Sequence, residues 1–262
     1  MRIALLGYGR IGRRHADNLR ALRPDVDIVV YDPSVHPAKE AGFGEAASVD
    51  TALETATAAI IATPADAHLA LMERCNDLRL PYLVEKPPVG LGQLEAFEAI
   101  VDAAPEGCAV GFQYRFHPVV AHLAAAADRY ERVYEFEARE DLVGHYGRTV
   151  VETMGSHAID LGLYLAGEAW RESLTTDGVR LRGAIEHITG ARTIIDQRMD
   201  CGPRLSRLSD RLLYPDDEMY RAQLRSWLWW LISGERDARL ATLQDGLAVV
   251  DVMAHIRQGV LA

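Results

Sequence analysis

The chain has 262 residues, of which 49% are hydrophobic and 25% charged, so it is long enough for one large globular domain or two ordinary ones. A formal net charge of -10 argues against a nucleic-acid-binding surface, which needs clustered Lys and Arg. No stretch reaches the roughly 18 uncharged apolar residues of a transmembrane helix, so no membrane association is expected. The start "MRIALLG" lacks the features of a signal peptide, and we expect a cytoplasmic protein.

The three cysteines, Cys75, Cys108 and Cys201, are far apart and lack the spacing of metal ligands. They are therefore interpreted as small buried side chains in a reducing compartment. No metal site is predicted.

Short apolar runs alternate with amphipathic stretches through the first half of the chain. The runs are "RIALLG", "VDIVVYD", "AAIIAT", "PYLVEK" and "GCAVGFQYR", and stretches such as "GRRHADNLRAL" and "ADAHLALMERCND" separate them. Strands separated by helices are typical of parallel strands joined by right-handed crossovers. The pattern predicts a doubly wound α/β domain of the Rossmann type over residues 1–115.

The motif "GYGRIG" stands between the first predicted strand and the first predicted helix. Gly7, Gly9 and Gly12 fall where a tight turn, a close phosphate and close helix packing each exclude a side chain. Backbone N–H groups at the helix start would face a pyrophosphate, although the glycines could also serve the turn alone. The predicted dinucleotide-binding residues of this loop are Gly7, Tyr8, Gly9, Arg10, Ile11 and Gly12.

Asp32 ends the second predicted strand, about 20 residues after Gly12. A carboxylate at this place accepts hydrogen bonds from the adenosine ribose and repels a 2′-phosphate, so NAD is expected rather than NADP. The basic residues Arg13 and Arg14, which follow the glycine motif, slightly weaken the expected preference for NAD over NADP.

Polar residues also follow the later strands of the first half. Thr63, Pro64 and His68 lie in "ATPADAH", and Glu85 and Lys86 lie in "VEKPP". Carboxyl ends of parallel strands form the ligand-binding edge of such sheets, so these residues are predicted to line the cofactor site. Lys86 is singled out for chemistry, because the prolines after it restrict its backbone.

The second half has shorter, alternating strand patterns. "RVYEFEARE", "GVRLRGAIEHI" and "ARTIIDQRMD" read as strands, and "DDEMYRAQLRSWLWWLISG" has helical spacing. Trp227, Trp229 and Trp230 at this spacing are more often core or interface residues than a ligand-stacking cluster. Residues 116–262 are predicted as a second domain for substrate and oligomerisation, and its final helices may return to the first domain.

The motifs "GYGRIGRRHADNL", "ATPADAH", "VEKPPV", "GFQYRFHP" and "GSHAIDLGLYLAG" together resemble the Gfo/Idh/MocA oxidoreductases. The resemblance is dense over the first 115 residues, continues through residues 155–167 and is diffuse afterwards. It implies an N-terminal Rossmann domain, a C-terminal α/β domain with a mostly antiparallel open sheet, and a small-molecule substrate. It also implies a homo-oligomer, either dimer or tetramer, and the apolar strand positions favour this too.

By this resemblance, Lys86 would hydrogen-bond the reacting oxygen and His157 would act as acid or base. The family usually has an aspartate four residues before that histidine, where this chain has Thr153. Positions four apart share a helix face, so Thr153 would meet the substrate with a hydroxyl only. Glu152 could substitute only if this segment is not regular helix, and Asp160 could orient His157.

Further polar residues in "GFQYRFHP" and "LVGHYGRTV" are candidates for ligand contacts. Gln113 could reach the nicotinamide ribose or carboxamide, and Arg115 would suit a substrate carboxylate or phosphate. His117 and Tyr146 are further substrate candidates. Hydrogen bonding at the domain interface is an equally good interpretation of Gln113, Arg115 and His117.

The first functional hypothesis is an NAD(H)-dependent oxidoreductase that moves a hydride to or from a hydroxyl or carbonyl carbon of a sugar, cyclitol or related metabolite. One alternative is an imine or carbonyl reductase on a nonsugar metabolite. The other is a cofactor-binding homologue without turnover.

Overall fold

The computed structural model describes residues 1–34, 42–140, 149–200, 205–214 and 216–259, and the chain divides into two compact units. The first unit comprises Met1–Gly111 and Asp217–Leu247, and the second comprises Phe112–Asp216 and Ala248–Ala262. The first unit thus ends at residue 111 in its N-terminal segment, close to the predicted boundary at residue 115. A long segment from the second half of the chain belongs to the first unit.

Among the described residues of the first unit, six parallel strands form a sheet in the order β3-β2-β1-β4-β5-β6. The strands are β1 (Arg2–Leu6), β2 (Asp27–Tyr31), β3 (Gly44–Glu45), β4 (Ala58–Ile61), β5 (Tyr82–Val84) and β6 (Ala109–Val110). The helices are α1 (Arg10–Leu22), α2 (Val49–Leu53), α3 (His68–Asp77), α4 (Leu94–Ala103) and, late in the chain, α7 (Asp217–Ser233). This strand order is that of a Rossmann sheet, and it confirms the predicted fold class.

The central strands are buried on both faces, which explains their continuous apolar sequence. Ile3 to Leu6 in β1 and Ala58 to Ile61 in β4 are fully buried, and Leu5 pairs with both Val30 and Ile60. The sheet order reverses between β1 and β4. In an open α/β sheet, ligands bind beyond the carboxyl ends of the strands at such a switch point.

The helix α7 is tied to the rest of the first unit by polar contacts. The Nε1–H of Trp227 donates to the Gly107 carbonyl at 2.9 Å, and Nε of Arg221 donates to Oδ1 of Asn18 on α1 at 3.0 Å. Trp227 is fully buried, whereas Trp229 is 55% exposed. Of the tryptophans in this helix, Trp227 therefore belongs to the core.

In the second unit, the described strands form a mixed and mostly antiparallel sheet in the order β13-β12-β7-β11-β10-β9-β14, with β8 paired to β10. The strands are β7 (Val133–Arg139), β8 (Ala169–Glu172), β9 (Thr175–Thr176), β10 (Arg180–His187), β11 (Arg192–Arg198), β12 (Leu205–Leu208), β13 (Arg211–Leu212) and β14 (Arg257–Gln258). The helices are α5 (Pro118–Ala124), α6 (Ser156–Ala166) and α8 (Leu243–Ala254), whose residues fall in both units. The predicted open sheet is confirmed.

The two faces of this sheet differ in chemistry. Tyr134, Phe136 and Ile195 point into the core, whereas outward positions carry ion pairs such as Arg182–Asp196 and Arg192–Glu186, each at 2.9 Å. Exposed apolar side chains also lie on strands of this sheet, among them Val133, Trp170 and Leu212. The homo-oligomer remains a prediction that rests on the family resemblance and on the apolar strand positions.

A buried histidine joins the end of α6 to the sheet of the second unit. His187 is 1% exposed, with Nδ1 at 2.7 Å from the Gly167 carbonyl and Nε2 at 2.8 Å from Oγ1 of Thr193. A carbonyl only accepts, so Nδ1 carries the proton and the Thr193 hydroxyl donates to Nε2 of a neutral imidazole. Burial lowers the pKa of His187 below 6.5, although the Gly167 carbonyl and the charge of Glu186 oppose this shift.

We predict that the free energy of unfolding decreases as the pH falls below the ordinary histidine pKa of 6.5. Below that pH the unfolded chain takes up a proton at His187 that the folded protein does not bind, so acid favours unfolding. Urea unfolding followed by circular dichroism between pH 8 and pH 5 measures the effect. His187→Gln keeps a donor and an acceptor but does not titrate, so its pH dependence should be weaker; equal slopes would contradict the assignment.

Candidate active site

The glycine turn after β1 is built from two positions that exclude a side chain and one that does not. Gly7 has φ +97°, and a Cβ there would lie 2.8 Å from the backbone of Ala62 and Thr63. A Cβ at Gly12 would lie 2.0 Å from the Gly7 carbonyl oxygen. At Gly9, in contrast, no atom of the described residues, apart from its chain neighbours, lies within 4 Å of the added Cβ. The protein itself therefore requires glycine at 7 and 12, while the space beside Gly9 is open.

The start of α1 borders this open space. The residue before the helix, Gly9, has no side chain that could cap it, and the first turn contains no acidic residue. Free N–H groups and the positive end of the helix dipole make such a start suitable for an anion. Of the other loop residues, Arg10 is exposed, Ile11 is half-buried and Tyr8 is buried.

Asp32, at the end of β2, fixes the glycine turn from the other side. Its Oδ2 accepts the Tyr8 N–H at 2.6 Å, and its Oδ1 accepts the Ser34 N–H and hydroxyl, both at 2.9 Å. Burial opposes ionisation, but these hydrogen bonds outweigh it and hold the pKa of Asp32 below its ordinary value. A carboxylate has about four acceptor sites, so Asp32 retains capacity for a ribose hydroxyl.

The loop after β4 contributes one buried polar atom that faces no protein partner. Thr63 Oγ1 is buried, and no described protein atom hydrogen-bonds to it. Pro64, the next residue, is exposed. Together with the open space at Gly9, the uncapped start of α1 and the ionised Asp32, this hydroxyl fits a bound dinucleotide.

His68 and Glu85 lie inside the protein rather than on the ligand side. His68 is 1% exposed, and its ring nitrogens lie 2.9 Å from the Thr63 carbonyl and 3.1 Å from the Pro87 carbonyl. It therefore links the loops after β4 and β5 from within, and any effect on a cofactor is indirect. This placement corrects the expectation of a direct contact, because both ring nitrogens face backbone carbonyls.

Glu85 is 7% exposed, and its Oε1 lies 2.7 Å from Nε2 of His15. Its Oε2 accepts the backbone N–H of Lys86 at 3.3 Å. The expected direct contact between Glu85 and the cofactor is therefore replaced by hydrogen bonds inside the protein.

The sequence interpretation missed His15, although its spacing from Gly12, Ala16 and Leu19 places it on the buried face of α1. Lys86 itself is half-buried.

In the second unit, the expected ligand contact of Arg115 is not available. The side chain is 2% exposed, and its Nε and Nη2 donate to Asp160 on α6 at 3.0 Å and 2.6 Å. Its guanidinium also lies over the Tyr164 ring, 4.7 Å from the centroid. The predicted substrate carboxylate is thus replaced by a carboxylate of the protein, Asp160. The expected orientation of His157 by Asp160 stays a prediction.

The other polar residues of this segment also have structural surroundings. His117 starts α5, where its Nδ1 accepts the Val119 N–H at 3.2 Å. Burial lowers the pKa of His117, and the nearby charge of Asp216 opposes this. Gln113 is 3% exposed. Its proposed reach to a nicotinamide remains a prediction.

His157 lies in the first turn of α6 and is half-buried. The Tyr114 ring meets it edge to face with a centroid distance of 4.7 Å, and the Phe112 ring lies at 6.2 Å in a similar arrangement. These aromatic contacts restrict the orientation of the imidazole.

The turn before α6 is a π-helix, Val151–Gly155, and not regular α-helix. A π-helix has i→i+5 hydrogen bonds, so the argument that places Thr153 on the face of His157 fails over this turn. Oγ1 of Thr153 lies 3.0 Å from the Thr149 carbonyl and 3.1 Å from Sδ of Met199. Its hydroxyl is thus turned to the protein, which corrects the expected substrate contact.

Glu152 does not supply the missing carboxylate, even though the segment is irregular. Its Oε2 accepts the N–H and the hydroxyl of Thr149, both at 3.0 Å. Tyr146 lies outside the described residues. Within the described ranges, no group of three or more His, Cys, Asp or Glu side chains could hold a metal ion, and no helix is long and apolar enough to cross a membrane.

Comparison with known proteins supports the same fold. The family model described as "Oxidoreductase family, NAD-binding Rossmann fold" matches residues 1–114. A UDP-N-acetylglucosamine 3-dehydrogenase of Acidithiobacillus ferrooxidans is 31% identical over 180 residues, which are 64% of this chain and 55% of the relative. A myo-inositol dehydrogenase, Hyg17, of Streptomyces leeuwenhoekii is 31% identical over 131 residues, which are 48% of this chain and 40% of the relative. The aligned parts therefore span about half the length of these relatives.

A solved structure of the UDP-N-acetylglucosamine 3-dehydrogenase GnnA from Acidithiobacillus ferrooxidans superimposes with a TM-score of 0.85. The match covers 98% of this chain and 96% of that chain at 19% identity, so it shows a shared fold. Residues 1–114 thus match the model of the Gfo/Idh/MocA oxidoreductase family, and the glycine turn and the sheet order of the first unit agree with the NAD-binding Rossmann fold that this model describes.

Proposed function

We propose that this protein is an NAD(H)-dependent oxidoreductase that transfers a hydride to or from a hydroxyl or carbonyl carbon of a sugar, cyclitol or related metabolite. The observation that carries the proposal is the open space at Gly9, between the uncapped start of α1 and the ionised Asp32. The relatives named for UDP-N-acetylglucosamine and myo-inositol support a polyhydroxylated ring as substrate.

The residues that would hold the cofactor are those of the glycine turn, Asp32, Thr63, Pro64 and Gln113. When bound, the nicotinamide supplies or takes the hydride. The charge of Asp32 favours a free ribose over a 2′-phosphate, and hence NAD over NADP. The start of α1 and the absent side chain at Gly9 leave room for the pyrophosphate.

Proton transfer is assigned to His157, with Lys86 as the group that hydrogen-bonds the reacting oxygen. A histidine suits acid–base work near neutral pH, because its unperturbed pKa is roughly 6.5. Tyr114 and Phe112 support this assignment by restricting the imidazole ring. Both oxygens of Asp160 accept hydrogen bonds from Arg115.

The position of Thr153 favours a second candidate, an imine or carbonyl reductase on a nonsugar metabolite. Its hydroxyl lies against the Thr149 carbonyl and Met199, so this position adds no negative charge to a substrate site. A cofactor-binding homologue without turnover would share this feature. Turnover distinguishes the three candidates.

We predict that Gly9→Ala weakens NADH binding at least about tenfold, or ~1.4 kcal/mol, without loss of stability. The added methyl group meets no atom of the described residues beyond its chain neighbours but would occupy space beside the pyrophosphate. Fluorescence titration with NADH and urea unfolding measure the two effects. The matched control is Gly12→Ala, whose methyl group would strike the Gly7 carbonyl and destabilise the fold by about 1–3 kcal/mol. Unchanged NADH affinity in Gly9→Ala would count against a cofactor at this place.

We predict that Asp32→Asn shifts the ratio of NADH to NADPH affinity about tenfold toward NADPH, or ~1.4 kcal/mol. The amide removes the charge that repels a 2′-phosphate but keeps an oxygen for the Tyr8 N–H. Asp32→Ala, which also releases the turn, should weaken both cofactors in addition to shifting the ratio. The same titrations with both cofactors test this, and an unchanged ratio in both variants would show that Asp32 does not select the cofactor.

We predict that His157→Ala lowers kcat by about 10²–10⁴-fold and leaves NADH binding within about twofold of wild type. The wild type is first assayed against sugars, cyclitols, keto compounds and imines by nicotinamide absorbance. Turnover of polyols supports the first candidate, and turnover of imines or nonsugar ketones alone supports the second. NADH binding with no turnover on any class would refute both enzymatic candidates and favour the binding homologue.

A further inference from the structure

The backbone of Lys86 is attached to α1 through a buried carboxylate. Glu85, directly before Lys86, places Oε1 at 2.7 Å from Nε2 of His15, which has no exposed surface. The other oxygen, Oε2, accepts the backbone N–H of Lys86 at 3.3 Å. One side chain therefore connects the helix of the glycine turn to the lysine.

The carboxylate has little room to move. A Cβ at Gly111 would lie 3.1 Å from Cδ and both oxygens of Glu85, so the absence of a side chain there admits the carboxylate. On the other side, the Tyr220 ring of α7 meets the His15 ring edge to face at 6.3 Å. Arg14 lies over Tyr220 at 4.6 Å and pairs with Asp217 at 3.1 Å, which fixes α7 at this place.

The hydrogen bond between the two side chains has a defined direction. Burial opposes ionisation of Glu85, but the hydrogen bond and charge of His15, with the charge of Lys86, hold its pKa below the ordinary value. The ionised carboxylate only accepts, so Nε2 of His15 carries the proton. Nδ1 of His15 is buried and has no hydrogen-bond partner among the described residues.

The residue after Lys86 is fixed as well. The Pro87 carbonyl lies 3.1 Å from Nδ1 of His68, whose Nε2 lies 2.9 Å from the Thr63 carbonyl. The Lys86 N–H is thus linked to His15 of α1 through the Glu85 carboxylate, and the Pro87 carbonyl lies directly against His68 of α3.

We propose that His15 is a positioning residue for Lys86, acting through Glu85. It holds the carboxylate that fixes the backbone from which the lysine side chain extends. The proposal rests on the proposed function in one respect, namely that Lys86 contacts the reacting oxygen. The link between His15 and Lys86 itself is independent of turnover.

The composition of the chain makes this link measurable. The sequence has two lysines, Lys39 and Lys86, so Lys39→Arg leaves one lysine signal in a protein labelled with [ε-¹³C]lysine. In this background we compare His15→Leu, His15→Gln and Glu85→Gln. The matched control is Asn76→Ala, which removes a buried amide on α3 that donates to the Ile100 carbonyl at 2.9 Å.

The chemical shifts of the Lys86 Hε–Cε signal should change in His15→Leu and Glu85→Gln. They should stay unchanged in Asn76→Ala, even where this variant is destabilised to a similar extent. His15→Gln supplies an N–H donor again, so its signal should return toward that of wild type. An unchanged Lys86 signal in both His15→Leu and Glu85→Gln would overturn the proposal. Glu85→Gln is nearly isosteric, so the test holds even where His15→Leu does not fold.

Turnover gives the second readout. A displaced lysine should lower kcat about 100-fold while KM for NADH stays unchanged, because misplacement by about 1 Å has an effect of this size. The double variant that combines His15→Leu and Glu85→Gln should lose no more activity than the more impaired single variant, because both changes act through the same link. Additive losses with a falling NADH affinity would indicate a merely structural role and refute the proposal.

A shifted Lys86 signal in a protein whose wild type turns over no substrate would refute the proposed function and leave the link between His15 and Lys86 standing.

Discussion

The candidate site depends on a contact between backbones that no side chain can enter. The turn after β1 brings Gly7 against Ala62 and Thr63 at the end of β4, and the first turn of α1 brings Gly12 against the Gly7 carbonyl. A Cβ at either glycine would lie within 2.8 Å of backbone atoms. Because backbone cannot yield as a flexible side chain can, these contacts fix where α1 starts. The start of α1 then fixes both the anion-binding N–H groups and the place of His15.

The buried carboxylates of both units are satisfied inside the protein. Glu85 is bound by His15 and the Lys86 N–H, and Asp160 is bound by two nitrogens of Arg115. Removing one member of such a pair leaves an uncompensated buried charge, which is strongly destabilising. These acids are therefore poorly suited to exchange protons with a substrate. They instead fix the segments from which Lys86 and His157 extend.

Sequence alone predicted the parts of the molecule that local rules decide. The apolar run of β1, the glycine turn and Asp32 follow from strand burial and from steric limits within about 30 residues. The pairs Glu85–His15 and Arg115–Asp160 join residues 70 and 45 positions apart, and no periodicity indicates such a partner. The sequence therefore predicts a ligand contact for Glu85, and for Arg115 it leaves ligand contact and hydrogen bonding at the domain interface equally open. The sequence shows that a charge is present, whereas only the fold shows which group neutralises it.

The π-helix before α6 explains why the carboxylate expected near His157 has no simple replacement. The extra residue in this turn changes which upstream side chain shares a face with His157, so a count of four residues no longer identifies a neighbour. Glu152 binds Thr149 and thereby stabilises the start of the turn, while Thr153 faces Met199. Gln197 on β11 donates to the Met154 carbonyl at 3.3 Å within the same turn. The polar side chains of this segment thus hold an irregular turn, and the shape of that turn, rather than an additional acid, sets the direction in which His157 leaves the helix.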